Sequence, residues 1–325
     1  MIWRWALLVA CCSIAVAGQE PARTGGHARP DARALAAAVD ARLAEHGEGA
    51  SASVWLGGVS GTDSNNTAGD SSGAWFARDA AAPRATASAI KTFYLIELFD
   101  RYADALDRPL PGVDGLLADD THPAISHFTP EQRVEIRRDL TGASVRHVGL
   151  VMMGTAPASN IVYNAAANLT TAALGGPEAL TALIHARDPA FSAVAARRYM
   201  LRNRKERGDN EAPTLALAAV YQRLAARRLA GVEAATLDAI RAALHRRDDA
   251  VLGPSFAKDG SLDTDPMSEV RAGWYDTAKG PLIYVVMTMQ PVPGPAGRDA
   301  SGERLSKTAG DLANTLVQAG WASMK

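Results

Sequence analysis

The chain has 325 residues, of which 47% are hydrophobic and 21% are charged, and its formal net charge is −1. This composition is typical of a soluble globular protein with an ample apolar core. The near-neutral balance provides no basic excess for binding nucleic acid, so we expect no nucleic-acid partner. At this length the chain can hold one large domain or two subdomains.

The N-terminus has the pattern of an export signal. Arg4 precedes an almost wholly apolar run from 6 to 17 that ends in Ala15-Val16-Ala17, which predicts a signal peptide over residues 1–17. The run is too short to span a membrane. In an alternative interpretation, Leu8-Val9-Ala10-Cys11 resembles a bacterial lipobox in which Cys11 carries a lipid. Simple secretion is favoured because the apolar stretch before Cys11 is short, and both interpretations predict a periplasmic or secreted protein without a transmembrane span.

Hydrophobic periodicity divides the rest of the chain into two sheet-forming parts with a helical part between them. After a linker over 18–31, we predict a helix at 32–46 and strands at 51–58 and 74–80. Helical periodicity follows from 86 to about 247. Three further strands are predicted at 255–258, 270–275 and 282–290, with a hairpin turn at 277–281 and a last helix at 301–324.

This order predicts an α+β fold. We expect an antiparallel sheet of about five strands flanked by helices, because strands at both ends of the chain enclose a long helical segment. The domain would cover residues 32–325, with an inserted all-helical subdomain at about 100–235. Nothing in the sequence requires more than a monomer.

Ser88 and Lys91 form the strongest candidate for a reactive centre. They lie three residues apart at the start of the apolar run Thr92 to Phe99, so on a helix they share one face. A serine hydroxyl is a weak nucleophile that needs a neighbouring base and a site for the oxyanion, and unpaired N–H groups at a helix start can provide that site. The spacing therefore predicts a serine nucleophile activated by lysine, although S-x-x-K alone is frequent by chance.

Three later segments add context to this pair. They are Asn160, the turn Gly175-Gly176-Pro177, and Lys258-Asp259-Gly260-Ser261. In this order, the segments resemble the motifs of the serine β-lactamase and penicillin-binding protein superfamily, and they are closest to class A β-lactamases. The resemblance implies that Ser88 is the nucleophile, Lys91 its base, Asn160 an orienting amide and Lys258 a cation of the pocket, with Gly260 and Ser261 on the substrate-binding strand.

The second motif departs from the family pattern. If Asn160 is the motif asparagine, Ala158 stands where the family has a serine that passes a proton to the leaving nitrogen, and Ser159 is the nearest candidate for this shuttle. Counting back from Gly175 gives a second register, in which Asn164 is the motif asparagine and Val162 replaces the serine. The first register is favoured because Pro157 suits the first turn of a helix.

Two further departures concern turnover and substrate binding. Where class A enzymes carry a glutamate that activates water, this chain has Arg198 to Asn203, and Glu206 lies nearby but lacks the surrounding pattern. Asp259 replaces a threonine of the lysine motif, and we expect its side chain to face a turn rather than the pocket. The resemblance thus implies an exported serine hydrolase that forms an acyl-enzyme with weak or absent β-lactamase turnover.

Two alternatives stay open: a catalytically impaired binding or regulatory module of the same fold, and a D,D-peptidase acting on peptidoglycan. We expect a small-molecule or peptidoglycan-type amide as the substrate. No cofactor is expected, and no metal, because the seven histidines show no spacing typical of a zinc site.

Overall fold

The computed structural model of the protein describes residues 29–47, 49–59, 73–292, 294 and 297–324. The predicted signal peptide, the lipobox at Cys11 and most of the linker over 18–31 lie outside these residues. Within the described ranges, no helix has the length and apolar character needed to cross a membrane.

An antiparallel sheet forms the centre of the described structure. Its strands follow the spatial order β2-β1-β9-β8-β6-β5, and β7 also pairs with β8; β3 and β4 form a separate two-stranded sheet. The strands are β1 Ser51–Gly57, β2 Ala74–Arg78, β3 Pro83–Ala85, β4 Glu211–Pro213, β5 His245–Asp249, β6 Gly253–Ala257, β7 Gly260–Leu262, β8 Met267–Thr277 and β9 Gly280–Gln290. All five strands predicted from the sequence are present, and the tight turn between β8 and β9 lies in the predicted hairpin segment.

Strands β5 and β7 are not predicted from the sequence, and with them the described sheet has seven strands rather than the expected five. The predicted helical region extends to about 247, whereas the last helix before the sheet ends at Leu244 and β5 begins at His245. His-Arg-Arg-Asp-Asp has no alternation of apolar and polar residues, which is the usual sign of a strand. Charged residues are common on edge strands because they prevent pairing with a second sheet.

The helices lie on both faces of the sheet. They are α1 Ala32–His46, α2 Lys91–Arg101, α3 Val113–Ala118, α4 Pro130–Leu140, α5 Val145–Met153, α6 Asn160–Ala173, α7 Pro177–Arg187, α8 Arg204–Arg207, α9 Thr214–Ala225, α10 Ala234–Leu244 and α11 Arg298–Met324. Helix α1 has the predicted bounds, with Asp31 capping it by accepting hydrogen bonds from Arg33 N and Ala34 N. Helix α11 begins three residues before the predicted start.

Two apolar cores lie on opposite sides of the sheet. The smaller joins α1 and α11 to one face and includes Leu35, Val286 and Leu316. The larger joins the other helices to the opposite face and includes Trp274 and all but the charged and polar positions of α2. Helices thus cover both faces of an antiparallel sheet, which confirms the predicted α+β class. The bounds of the helical subdomain, about 100–235, stay a prediction.

Helix α2 is the central element of the larger core. Every residue from Lys91 to Phe99 is buried, so the helix has no solvent-exposed stripe over that length. A helix that is buried all round must be fixed by neighbours on every side, and α2 therefore holds its first turn in a defined place beside the sheet.

Candidate active site

Ser88 lies in a 3-10 turn, Ala87–Ile90, that leads directly into α2. Thr86 fixes the turn from below, because its backbone N–H and its hydroxyl both donate to the Asn210 carbonyl, at 3.0 Å and 2.9 Å. Ala87 has a φ of 48°, a left-handed conformation that costs free energy in a residue other than glycine. Strained residues of this kind are concentrated at functional sites, and this one directly precedes Ser88, whose side chain is half-buried at the wall of a cleft.

Lys91 is fully buried one turn after Ser88. Its Nζ donates a hydrogen bond of 2.9 Å to Asn164 Oδ1. Burial, and secondly the charge of Lys258, lower the pKa of Lys91 well below its ordinary value. Among the described residues, no carboxylate forms an ion pair with Lys91. The site thus favours a neutral amine, the form that can accept a proton from Ser88.

The hydrogen bond to Asn164 contradicts the favoured register of the second motif. Asn160, predicted to orient Lys91, instead holds Asn164, whose Nδ2 donates to Asn160 O at 2.9 Å and to Asn160 Oδ1 at 3.0 Å. The helix begins at Asn160, so Pro157 lies before it rather than in its first turn, and the amide that contacts Lys91 lies one turn inside the helix. Val162 is fully buried in this register, so an apolar side chain occupies the position of the family's serine.

Ser159, the predicted proton shuttle, caps helix α6. Its Oγ accepts a hydrogen bond from the Val162 N–H at 3.3 Å, and the residue is exposed. Asn160 and Asn164 line the cleft next to Ser88, whereas Ser159 does not. The cap explains why this serine precedes the helix, and no described contact links it to Ser88.

The second wall of the site is formed by Lys258, in the short segment between β6 and β7, and by Gly260 at the start of β7. Strands β6 and β7 keep one register against β8, with Ala257 opposite Gly273 and Gly260 opposite Val270. Since side chains alternate between the faces of a strand, Lys258 and Gly260 share the face towards Ser88. Lys258 is buried, and its Nζ donates to the Asp259 carbonyl at 2.8 Å. Burial and the charge of Arg246 lower the pKa of Lys258 to about 7.

Gly260 brings this strand into direct contact with the Ser88 turn. A Cβ atom at Gly260 would lie 2.6 Å from Thr86 O, 2.7 Å from Ser88 N and 2.9 Å from Ala89 N. A side chain of any size is therefore excluded here. The strand backbone thus lies directly against the Ser88 turn, with the backbone nitrogens of Ser88 and Ala89 among the nearest atoms.

Asp259 and Ser261 lie on the opposite face of the strand. Asp259 Oδ2 is 3.9 Å from Arg271 Nε and its side chain is about half exposed, so it does not repel an anion in the cleft. The Ser261 hydroxyl, predicted to bind substrate, donates to Glu269 Oε1 instead. Ser261 still lies at the edge of the cleft, where its backbone rather than its hydroxyl faces the site. The alternation of the strand is the reason for both positions.

The loop from 195 to 210 forms the outer wall of the cleft. Asn168 fixes its centre, because its Oδ1 accepts from Met200 N at 2.5 Å and its Nδ2 donates to Met200 O at 3.2 Å. A buried ion pair fixes its ends: Arg198 Nη2 lies 3.2 Å from Asp209 Oδ1, and Arg204 binds the other oxygen. The loop thus presents a buried methionine to the cleft.

None of the described residues provides a free glutamate beside Ser88. Glu206, the candidate from the sequence, is exposed on α8 and lines a separate surface hollow on the outer side of the loop. Asp209 does line the cleft with Ser88, but its two oxygens are bound by guanidinium groups. Both of its oxygens are thus occupied, and neither is free to accept a proton from water.

Tyr163 belongs to the site, and the sequence analysis does not identify it. Its ring centroid is 3.2 Å from Lys91 Nζ and 5.1 Å from Lys258 Nζ. Burial raises the pKa of Tyr163, and an interaction of its hydroxyl with the Ser88 side chain opposes this rise. The residue directly precedes Asn164, so the second register of the motif would have drawn attention to it.

The cleft beside Ser88 has a volume of about 750 Å³, which suits a small molecule or a short peptide. It is bounded by the Ser88 turn, the start of α6, the loop from 195 to 210 and strand β7. Polar and charged side chains from the Ser88 turn, α6 and the loop line it. The arrangement can hold a carbonyl against Ser88, with the buried Lys91 amine one turn further along the chain.

No protein-family model and no curated protein matches the chain. Solved structures do match. A β-lactamase from Sphaerobacter thermophilus is 18% identical, with a TM-score of 0.55 over 86% of this chain and 96% of that chain. A class A β-lactamase from Mycobacterium abscessus is 15% identical, with a TM-score of 0.58 over 85% and 98%.

A variant of the class A β-lactamase of the last common ancestor of Gram-negative bacteria is 16% identical, with a TM-score of 0.59 over 89% of this chain and 98% of that chain. At these identities the comparison concerns the fold. The chain has the fold of these β-lactamases, as the resemblance found in the sequence implies.

Proposed function

We propose that this protein is a β-lactamase-like serine hydrolase that forms an acyl-enzyme through Ser88. Lys91 accepts the proton of the Ser88 hydroxyl, and Asn164 orients the amine. The N–H groups of the Ser88 turn and of strand β7 bind the oxyanion. The substrate class is an amide of the β-lactam or peptidoglycan type, met after export if the leader predicted at 1–17 is used.

The observation that carries this proposal is the state of Lys91. A lysine is a base only when its pKa is near or below the pH of the medium. Here the amine is fully buried, bonded to an amide oxygen at 2.9 Å and close enough to Lys258 for that charge to lower its pKa. A structural lysine in a core is normally paired with a carboxylate, and the described residues provide none.

We further propose that the acyl-enzyme is discharged slowly. Hydrolysis needs a base that activates water beside the ester. Asp209, the buried carboxylate of the described cleft, is bound by guanidinium groups, and Glu206 lines a separate hollow on the surface. Asp263 and Asp265 also line the cleft, where both are exposed on the segment that follows β7. The loop presents Met200 at its fixed centre, and a thioether cannot accept a proton at neutral pH. We therefore expect labelling by penicillins with weak or absent turnover.

A fluorescent penicillin tests both parts of the proposal. The wild-type protein is expected to gain a covalent label and a mass increase equal to one penicillin, and the adduct should persist for minutes or longer. Ser88→Ala should abolish the adduct. Ser159→Ala is the matched control, because Ser159 is exposed near the same cleft and makes only a helix cap, so this variant should label as the wild type does.

Three results would contradict the proposal. A label that survives in Ser88→Ala would place the nucleophile elsewhere. Steady turnover of penicillin at rates usual for enzymes, about 10 per second, would contradict slow discharge. Absence of labelling by penicillin and by a fluorophosphonate would favour the binding or regulatory module instead.

A further inference from the structure

Tyr163 contacts both reacting side chains of the proposed site. Its ring face lies under the Lys91 amine, with 3.2 Å between Nζ and the ring centroid, and its hydroxyl interacts with the Ser88 side chain. Lys258 lies 5.1 Å from the same centroid. The ring of Tyr163 thus lies near the amines of both lysines, and its hydroxyl interacts with the nucleophile.

The position of Tyr163 matters because the proposed mechanism creates a positive charge at a site from which water is excluded. When Lys91 takes the proton of Ser88 it becomes an ammonium ion with no exposed surface. Burial and Lys258 both oppose that charge, and among the described residues only the Asn164 amide oxygen accepts a hydrogen bond from Nζ. Without a second stabilising group, the proton transfer would be strongly uphill.

We propose that Tyr163 is a catalytic residue of acylation, whose ring face stabilises the ammonium ion that Lys91 becomes during attack by Ser88. The inference rests on the proposed acylation of Ser88. The face of an aromatic ring carries partial negative charge and attracts a cation, most strongly where water is excluded. The ring takes the place that a carboxylate would otherwise occupy beside this lysine.

The step balances without further reactants. Ser88 Oγ bonds to the carbonyl carbon, its proton moves to Lys91 Nζ, and the carbonyl electron pair moves to the oxygen. The pair then returns, the bond from carbon to nitrogen breaks with its electrons going to nitrogen, and Lys91 returns the proton to that nitrogen. Tyr163 exchanges no proton and stays a neutral phenol, which agrees with its raised pKa.

The other charged groups near this pair come from β5 and from the segment between β6 and β7. Lys258, between β6 and β7, lowers the pKa of Lys91. Arg246 of β5 lowers the pKa of Lys258, and Asp259 raises it. Arg246 and Asp259 also act in opposite directions on Tyr163. These groups remain in place when Tyr163 is changed, so a variant at this position isolates the ring.

Two variants separate the ring from the hydroxyl. Tyr163→Leu removes both, whereas Tyr163→Phe keeps the ring face. The rate of acylation by a fluorescent penicillin is measured in single-turnover experiments over a range of pH, and the pKa of Lys91 is followed by NMR of its ¹³Cε. We expect Tyr163→Leu to lower the rate roughly tenfold or more and the pKa of Lys91 by about one unit, the size of a desolvated cation–π contact.

The phenylalanine variant should keep the pKa of Lys91 and slow acylation by no more than roughly threefold, the effect of losing one neutral hydrogen bond. Equal rate losses in both variants, with the pKa of Lys91 unchanged, would overturn the role of the ring and assign it to the hydroxyl. A Tyr163→Leu protein that acylates like the wild type would also overturn it.

Folding of each variant is checked by its melting temperature. If Tyr163→Leu unfolds, Tyr163→Trp provides the second test, because indole binds cations most strongly and should hold the pKa of Lys91 at or above the wild-type value; a fall would refute the inference. Failure of the wild type to label at Ser88 is a different result. It would refute the proposed function, while the NMR titration would still report whether the ring stabilises the ammonium ion.

Discussion

Replacing Gly260 by alanine tests the contact between the Ser88 turn and strand β7. The new Cβ would lie 2.6 Å from Thr86 O and 2.7 Å from Ser88 N. Both are backbone atoms in an element fixed to the core, and contacts at that distance are repulsive. The turn and the strand must separate by roughly half an ångström or more. The backbone of Gly260 is not in a left-handed conformation, so alanine can adopt it without strain. The effect of the substitution should therefore come from the clash alone.

This separation should lower the rate of acylation more than it lowers the free energy of unfolding. An oxyanion is stabilised only by donors 2.7–3.1 Å away, and loss of one such donor lowers rates about 100- to 1000-fold. Overpacking costs about 1–3 kcal/mol of the free energy of unfolding. Gly310→Ala is the control, because a Cβ there meets nothing within 4 Å and alanine stabilises helix interiors by roughly 0.5–1 kcal/mol.

The assay is the rate of labelling by a fluorescent penicillin, with a urea titration to measure the free energy of unfolding. Gly260→Ala should label at least about 100-fold more slowly while remaining folded, and Gly310→Ala should label as the wild type does. Labelling of folded Gly260→Ala within roughly threefold of the wild-type rate would refute the assignment of the oxyanion site to this contact.

Three other predictions concern the amide beside Lys91, the buried Lys258 and the ion pair of Arg187 with Glu97. Asn164→Ala should slow labelling roughly tenfold or more, because it removes the amide that accepts a hydrogen bond from the Lys91 amine. Asn160→Ala should slow labelling less. A larger effect of Asn160→Ala would support the first register of the motif instead. The pKa of Lys258 is about 7 in the folded protein and about 10.4 when unfolded, so the unfolded state binds more protons between these values and the free energy of unfolding should rise with pH there, by up to about 1.4 kcal/mol per pH unit. In urea titrations at pH 7, 8 and 9, Lys258→Met should lose the part of this rise that comes from Lys258, while Lys91, whose pKa is also lowered, keeps its own contribution; a slope equal to that of the wild type would contradict the prediction. Arg187→Met should destabilise the fold by about 3–5 kcal/mol, since it leaves the buried Glu97 carboxylate unpaired, and the added change Glu97→Gln should recover part of the loss; no recovery in the double variant would contradict the pairing.

Much of the fold could be predicted from the sequence because its strongest patterns are local. Helix α1 has an aspartate cap and an apolar stripe, and its bounds were predicted correctly. Strand β9 is a largely buried run rich in β-branched and other apolar residues, and β1 is buried from Ala52 to Gly57 around Val54, Trp55 and Leu56. Strand β5 could not be found in this way because its pairing with β6, rather than any alternation of its own, makes it a strand.

The site was predicted less completely, for a reason visible in α6. The sequence favours Asn160 as the motif asparagine because Pro157 suits a first helical turn, but the helix begins three residues after that proline, at Asn160. The amide that meets Lys91 is Asn164, one turn inside the helix. Spacing along the chain fixed Ser88 relative to Lys91, because both are in one turn, but it could not decide which asparagine of a separate helix faces them. Tyr163 was missed with it.

The buried position of α2 also bears on how the protein could change over time. The pair of Ser88 and Lys91 is attached to a helix whose amide hydrogens, from Lys91 to Phe99, should exchange with solvent only when the whole domain unfolds. The reactive groups and the most stable part of the chain then form one cooperative unit. Substitutions that alter substrate preference are therefore expected to accumulate in the loop from 195 to 210 and at the exposed end of β7, where a change can be tolerated without weakening the domain.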